Sequence, residues 1–341
     1  MKEPRLSQET ALILALSRRF GAPPPEVVLG IGDDCAAIAL DGGRCLLWTV
    51  DTLVEGVHFD LSYTPLEKLG WKALAVNLSD IAAMGGEARY ALLSLGWPRG
   101  RDRAQALELA EGMAQAAREY GVAIIGGDTV ASPEVAVTVT VTGLVDAGQM
   151  LRRAGARAGD RIYVTGPLGE SAAGLEVLLR GLALEPNLQA ALTQAHLQPR
   201  PQLRAGWVLA QEGLATSAID LSDGVATDLA HVCRESGVGA RILADQAPVS
   251  PRVKAAAPAL RQDPLDLALK GGEDYQLLFP CPPEKAGTLA AAFARAGLPE
   301  PLALGEIVPG EGVVLITARG EEDISGQGFD HFRVDLGKEE N

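Results

Sequence analysis

The chain is poor in cations, in cysteine, in long apolar runs and in the usual nucleotide-binding loops, and each shortage removes a class of function. Lys and Arg together number 30 against 44 Asp and Glu, a formal net charge of −14. A surface that acidic has no long-range attraction for a phosphate backbone or an anionic headgroup, which argues against nucleic-acid and membrane-surface partners. Any phosphate ligand would need local cations or metal ions. The four cysteines, Cys35, Cys45, Cys233 and Cys281, are scattered and form no C-x-x-C pair. That is neither a disulfide framework nor a zinc site; it suits a reducing compartment, and a cytoplasmic protein is expected. No apolar stretch approaches the ~20 residues that cross a bilayer. The apolar patch at residues 11–16 lies between Glu9 and Arg18-Arg19 and lacks the charge order and cleavage site of a signal peptide. The G-x-x-x-x-G-K-[ST] loop is missing, as are the kinase lysine and catalytic-loop motifs, and Gly166-Pro167-Leu168-Gly169 is a glycine turn without the lysine. A nucleotide bound here is therefore not held by a glycine-lysine cradle.

What is present is enough apolar material for two domains: 341 residues, 47% of them hydrophobic. The texture changes near Asp146-Ala147-Gly148, and a basic connector, Arg152-Arg153-Ala154-Gly155-Ala156-Arg157, follows. The expected division is 1–148 and 149–341. In the first part the patterns predict an amphipathic helix at 6–20, a buried strand at 44–50, a strand at 90–95 and a helix at 103–120. Thr64-Pro65-Leu66-Glu67 reads as a helix start, with Thr64 capping, Pro65 in the first turn and Glu67 completing a capping box. That helix runs to Met84 and is apolar almost all round in its second half, so it should be deeply buried. A buried strand at 122–125 is expected to stop at Gly126-Gly127, and residues 135–142 alternate strictly, as a half-buried strand does. Helices alternating with strands plus one extra hairpin-like strand predict an α+β layer. The second part opens as a β/α domain at 161–166. It continues with helices from about 171, 187 and 202, strands at 217–219 and 275–279, a helix at 285–296 and a strand pair within 303–316. The fold class expected is a two-domain protein, α+β then α/β.

One pattern recurs: an apolar strand, a glycine or small residue, then aspartate. It occurs at Gly32-Asp33-Asp34, Val50-Asp51-Thr52, Gly127-Asp128-Thr129 and Asp220-Leu221-Ser222-Asp223-Gly224, with Asp80 added from the buried helix beside Asn77. Each alone has a plain reading, as a helix cap or a turn. Their repetition at expected strand ends, where ligands gather in β/α layers, suggests a common site. Carboxylates and hydroxyls without a His/Cys cluster suit a hard cation such as Mg²⁺, which keeps waters and completes its shell with substrate phosphates.

These residues resemble the thiamine-monophosphate kinase family, in the superfamily that includes aminoimidazole ribonucleotide synthetase, selenophosphate synthetase and a hydrogenase-maturation enzyme. The likeness runs through GIGDDCA at 30–36, VDTLVEGVHF at 50–59, KALAVNLSDIAAMG at 72–85, IIGGDT at 124–129, RAGARAGD at 153–160, IDLSDG at 219–224, GGEDYQL at 271–277 and GFDHF at 328–332. The resemblance implies an aminoimidazole ribonucleotide synthetase-like N-terminal α+β domain that pairs across a homodimer, and a C-terminal α/β domain. It implies phosphoryl transfer from ATP to thiamine monophosphate. It places Mg²⁺ ligands on Asp34, Thr49, Asp51, Asp80, Asp128, Asp220 and Asp223, with Asp51, Asp128 and Asp223 as the catalytic carboxylates. It places ATP contacts on Tyr120, Gly127, Asp128, Arg153 and Ser222, and substrate contacts on His58, Glu273 and Phe329. Either Asp33 or Asp34 is the ligand, because adjacent residues of an extended segment point opposite ways. Val50 stands where the family often has threonine, leaving only a backbone carbonyl.

His58 is equally readable as a structural histidine, Glu273 as a turn, and Phe329 as a pin for the tail. Two other functions compete. One is a sister enzyme using ATP on a different acceptor; the catalytic Cys in a glycine-rich N-terminal segment and the C-terminal cysteine of such enzymes are not found. The other is a non-catalytic nucleotide- or thiamine-binding regulator, which would need fewer aspartates.

Overall fold

The alternating segment becomes the centre of a six-stranded sheet. In the computed structural model, which describes residues 8–332, helix α1 (Gln8–Phe20) is followed by β1 (Val27–Leu29), β2 (Ala36–Ala39), β3 (Arg44–Val54), α2 (Leu66–Ala83), β4 (Glu87–Pro98), α3 (Arg103–Tyr120), β5 (Ala123–Ser132) and β6 (Ala136–Asp146). Strand order is β1-β2-β3-β6-β4-β5, antiparallel except for the β4–β5 pair. Val137, Val139 and Val141 point inward from β6, and the threonines between them face out. Against that inner face lies α2, in which every residue except Glu67, Lys68 and Asp80 is buried. Helix α3 crosses α2 closely enough that only glycine fits at the contact. A Cβ on Gly70 would lie 1.9 Å from the Leu109 carbonyl oxygen, and one on Gly112 would lie 1.7 Å from that of Glu67.

The second part comprises β7 (Arg161–Val164), α4 (Glu170–Arg180), α5 (Pro186–Leu197), α6 (Leu203–Gln211), β8 (Ile219–Asp220), α7 (Val225–Ser236), β9 (Gly239–Leu243), α8 (Pro251–Leu260), α9 (Pro264–Lys270), β10 (Leu277–Cys281), α10 (Ala286–Arg295), β11 (Leu302–Val308), β12 (Gly312–Thr317) and β13 (Gly320–Asp323). Its seven strands run β13-β12-β9-β11-β7-β10-β8. Each sheet carries its own core. A third apolar cluster joins them: Ala82 and Ala83 of α2 meet Leu151, Ala205, Leu209 and the stacked rings of Phe279 and Phe293. Trp71 Nε1 donates to the Pro199 carbonyl (2.8 Å), and Lys68 reaches Gln198. Helix α2 thus belongs to both halves.

Several expectations change. Thr64 does not cap α2: Pro65 is the N-cap, Thr64 Oγ1 is buried without a partner, and Glu67 binds Gln115 Nε2 (2.6 Å) on α3 instead. The strand expected to be buried and to stop at Gly126 continues to Ser132 and is exposed along almost its whole length, because pairing with β4 on one side only leaves it an edge strand. Helix α1 is amphipathic but buries none of its described residues; Leu6 and Ser7 lie outside the described residues. The late strands β11 and β12 do not pair with each other, since β9 runs between them, antiparallel to β11 and parallel to β12.

Candidate active site

The site begins with the parity of β3. Alternation turns Thr49 and Asp51 to the inner face, towards α2, while Trp48 and Val50 face out. Two turns of α2 answer them. Asn77 Oδ1 accepts the Asp51 N–H (3.1 Å), and Asp80 accepts the Thr49 hydroxyl. These are the residues whose helical spacing puts both polar groups on one face. Asp51 and Asp128 therefore sit inside strands rather than beyond strand ends.

Two further carboxylates arrive from elsewhere. Asp34 comes from the β1–β2 connection and Asp220 from the end of the two-residue strand β8. One oxygen from each of Asp34, Asp80 and Asp220 lies within 4.8 Å of the others. Arg153 donates through Nε (3.0 Å) and Nη2 to Asp34 Oδ1, whereas buried Asp34 Oδ2 has no partner. Asp33 instead accepts the backbone N–H of Asp34 (3.0 Å) and of Arg153 (3.2 Å), so it is Asp34 that faces the group. Burial is the main reason that all these carboxyls are hard to ionise, and mutual repulsion adds to it. Asp80 stands well above the usual range, through burial and then Asp51 and Asp220. Asp220 is pushed to about 8 by burial and Asp34, and Asp51 to about 6 by the same two causes. Asp34 is raised by burial against the opposing pull of Arg153. Such a set of hard oxygen donors, one of them an orphan, is chemically matched to a divalent cation such as magnesium.

Beside the group opens a cleft of about 1180 Å³ between the two sheets. Asp51, Asp80, Asp220, Ser222 and Asp223 line it, and so do His58, Glu273 and Phe329. Asp223 is raised to about 7 by burial and then by Glu9 of α1, which also reaches the cleft. His58 Nδ1 accepts the Val54 N–H (3.1 Å), its ring 5.0 Å from that of His331. Burial, then His331, lowers its pKa. Phe329 is half exposed, stands edge-on to His331 (4.8 Å), and is tied by its N–H to the Asp223 carbonyl (3.0 Å).

Three residues expected at the site stand apart. Asp128 pairs with Ser94, which pairs with Thr138, opposite Thr52, and this row is on the outer face of the sheet. Its carboxylate turns back onto the Thr129 N–H (2.9 Å), so the structure does not bring Asp128 into the acidic group. Gly127, also on β5, lies so close to β4 that a Cβ would be 1.7 Å from the Leu93 carbonyl oxygen. Tyr120 ends α3, edge-on to Trp71 (5.9 Å), and like Gly127 is not among the residues lining the cleft.

Four residues escaped sequence reasoning. Lys72 and His196 hold Glu273, with Lys72 Nζ 2.8 Å from Oε1 and His196 Nδ1 3.1 Å from Oε2. Buried Asp228 accepts the N–H groups of Asp223 (3.2 Å) and Gly224 (3.0 Å). Asp274 accepts those of Gly169 (2.7 Å) and Ser171 (3.3 Å), at the start of α4. A lysine inside an apolar helix was the one available signal, since lysine is rarely buried without a partner.

The comparisons with known proteins agree with this architecture. The family models for the AIR synthase related protein match at residues 32–145 for the N-terminal domain and at 157–317 for the C-terminal domain. The thiamine-monophosphate kinase of Escherichia coli O157:H7 is 38% identical over 95% of this chain and 98% of its own. The crystal structure of thiamine-monophosphate kinase from Stenotrophomonas maltophilia K279a superimposes with a TM-score of 0.75 at 35% identity, covering 91% of this chain and 96% of that one. AaThiL complexed with AMPPCP and TMP superimposes with a TM-score of 0.80 at 32% identity, covering 92% and 96%. Likeness of this extent in both sequence and fold places the chain in the thiamine-monophosphate kinase family.

Proposed function

We propose that this protein transfers the γ-phosphoryl group of ATP to thiamine monophosphate, releasing ADP and thiamine diphosphate. The observation that carries the reading is the meeting of Asp34, Asp80 and Asp220 beside a cleft of about 1180 Å³, in a chain related over 95% of its length to a thiamine-monophosphate kinase. A phosphate oxygen of the acceptor attacks Pγ, and the bond from Pγ to the β-bridging oxygen breaks. The acceptor phosphate, with a second pKa of about 6, is mostly ionised at neutral pH, so no side chain need remove a proton from it. The reaction needs alignment and the screening of two approaching anions.

Asp34, Asp80 and Asp220 would hold magnesium, with Thr49, Asp51 and Asp223 next to them as further ligands. Bound metal supplies charge neutralisation on the phosphates. Arg153 keeps Asp34 oriented and brings a guanidinium to the same place, where it can also meet phosphate. Ser222 and the backbone of its loop line the cleft next to Asp223. His58, Glu273 and Phe329 lie along the part of the cleft assigned to the thiamine moiety. The working division of the chain is 1–148, with the first sheet, and 149–341.

A homodimer is part of the same proposal. The outer face of the first sheet exposes Trp48, Val50, Tyr90 and Leu92 together, continuous with edge strand β5. Exposed apolar side chains gathered on one face suit a protein–protein contact. No helix among the described residues is long and apolar enough to cross a membrane; the cytoplasm remains the proposed home.

Purified protein incubated with ATP, Mg²⁺ and thiamine monophosphate should yield thiamine diphosphate and ADP. Turnover of a different phosphate acceptor instead would replace this reading with that of a sister enzyme, and binding without turnover would make the protein a regulator.

A further inference from the structure

Glu273 is restrained more heavily than a turn requires. Its backbone takes φ 66°, a left-handed conformation uncommon outside glycine, and Tyr275 shares it at φ 47°. The Glu273 N–H donates to the Ser222 carbonyl (2.7 Å), which ties the segment to the loop that carries Asp223. The side chain reaches the cleft with 25% of its surface still open, and each carboxylate oxygen has a partner of its own. Lys72 comes from α2, under the first sheet, with only 2% exposure. His196, equally buried, comes from α5, and its Nδ1 is also 3.1 Å from Ser171 Oγ. Burial alone would make Glu273 harder to ionise; Lys72 and then His196 reverse this and hold it at about 2. Burial followed by Lys72 lowers the pKa of His196, which favours the neutral imidazole, and because an ionised carboxylate only accepts, Nδ1 is the donor to Glu273.

An ammonium inside an apolar helix is costly unless it meets an opposite charge, and Glu273 is the carboxylate it meets. A carboxylate offers about four acceptor directions. Lys72 and His196 each engage one oxygen and leave others turned to the cleft.

We propose that Lys72 and His196 are positioning residues for Glu273: they lock its carboxylate in the orientation from which it accepts hydrogen bonds from the heterocycle of the phosphate acceptor. Lys72 does so across the joint between the two halves of the chain, so the acceptor's pocket is complete only when α2 and the second sheet are docked. The proposal rests on the reading of thiamine monophosphate as acceptor. Its energetic logic is preorganisation, because an acceptor group already fixed costs no ordering on binding.

Steady-state kinetics with ATP, Mg²⁺ and thiamine monophosphate test it. Lys72→Met should raise KM for thiamine monophosphate by about tenfold or more, with KM for ATP within about twofold of wild type. Glu273→Gln should give a similar rise, and adding Lys72→Met to it should change KM by less than about twofold, because Lys72 acts through Glu273. His196→Asn, which keeps a donor near the Nδ1 position, should retain the wild-type KM, and His196→Phe should not. Equal rises in KM for both substrates, additive losses in the double variant, or an unaltered KM in Glu273→Gln would each overturn the proposal. If Lys72→Met fails to fold by circular dichroism, the two His196 variants decide by the same criterion. Wild-type protein that makes no thiamine diphosphate would sink the functional reading itself, which the wild-type control separates from the other outcomes.

Discussion

Asp34, Asp80 and Asp220 bring carboxylates together with one guanidinium in contact, and burial leaves them reluctant to ionise. Glu273, on the same cleft, is also withdrawn from water, yet it has a cation on one oxygen and a neutral donor on the other and ionises more readily than a free glutamate. The residue chemistry is nearly the same in both places, and the difference lies in who supplies the compensating charge. At Glu273 the chain supplies it. At the aspartate group the chain withholds most of it, which makes sense where a metal ion and a phosphate are to complete the site. The first arrangement is finished without a ligand, and the second is a destabilised acidic group waiting for one.

That contrast can be broken most sharply by removing one charge from the aspartate group. Asp80→Asn or Asp220→Asn should lower kcat by about a thousandfold or more, the scale of losing a transition-state electrostatic partner. The same variant should melt about 2 °C or more higher than wild type in metal-free buffer, because repulsion is relieved. A variant that loses activity and also melts lower would make the group structural.

Next in size is the response to magnesium. The folded-state values of about 6 for Asp51, about 7 for Asp33 and Asp223 and about 8 for Asp220 lie above the unfolded carboxylate range. Folding therefore takes up protons. The resulting stability is fully present below about pH 4 and is lost as pH rises through about 6 to 8. Metal-free protein should melt progressively lower across that window, and saturating Mg²⁺ should raise the melting temperature at pH 8 by several degrees while doing little at pH 5. An equal magnesium effect at both pH values, read by differential scanning fluorimetry, would contradict the contrast.

Glu273 should behave with the opposite sign. Its folded value, about 2, is below the unfolded one, so its contribution is present above about pH 4.5 and disappears as pH falls towards 2. Denaturant melts should show wild type more stable than Glu273→Gln by a constant margin between pH 5 and 7, with the margin shrinking in acid. The smallest effect belongs to Asp33. Asparagine there keeps one acceptor oxygen, and Oδ1 already lies within reach of both backbone N–H groups, Asp34 at 3.0 Å and Arg153 at 3.3 Å, so Asp33→Asn should keep kcat within about tenfold of wild type, whereas Asp34→Asn should not.

Much of this was legible in the chain itself. The alternation of β6 and the all-round apolar character of α2 are local patterns, and local patterns survive folding intact. Asn77 and Asp80 could be put on one face because three residues nearly complete a helical turn. The places where the structure departs from the expected arrangement have a common cause. Whether β5 would be interior or edge depended on how many neighbours it acquired, and the face on which Asp128 lies depended on its register with β4. Thr64 had the right spacing for a cap, but the backbone entered α2 one residue later, at Pro65. Lys72 and His196 were invisible as a pair because their shared partner is far from both in sequence.

The sequence by itself determined the inventory: an acidic, cysteine-poor chain without a glycine-lysine phosphate loop, with aspartates recurring after small residues, and eight motif blocks enough to identify the family. These are properties of composition and of spacing within a turn or a strand, which neighbouring residues alone settle. Only the tertiary structure decided which carboxylates meet. Asp34, Asp80 and Asp220 converge because α2 is packed simultaneously under the first sheet and against β8 of the second, so that one helix face becomes the wall of both halves. The repulsion among those carboxyls and the ion pair of Lys72 with Glu273 both arise at that joint. Each exists only when burial excludes water from charges brought together across the chain.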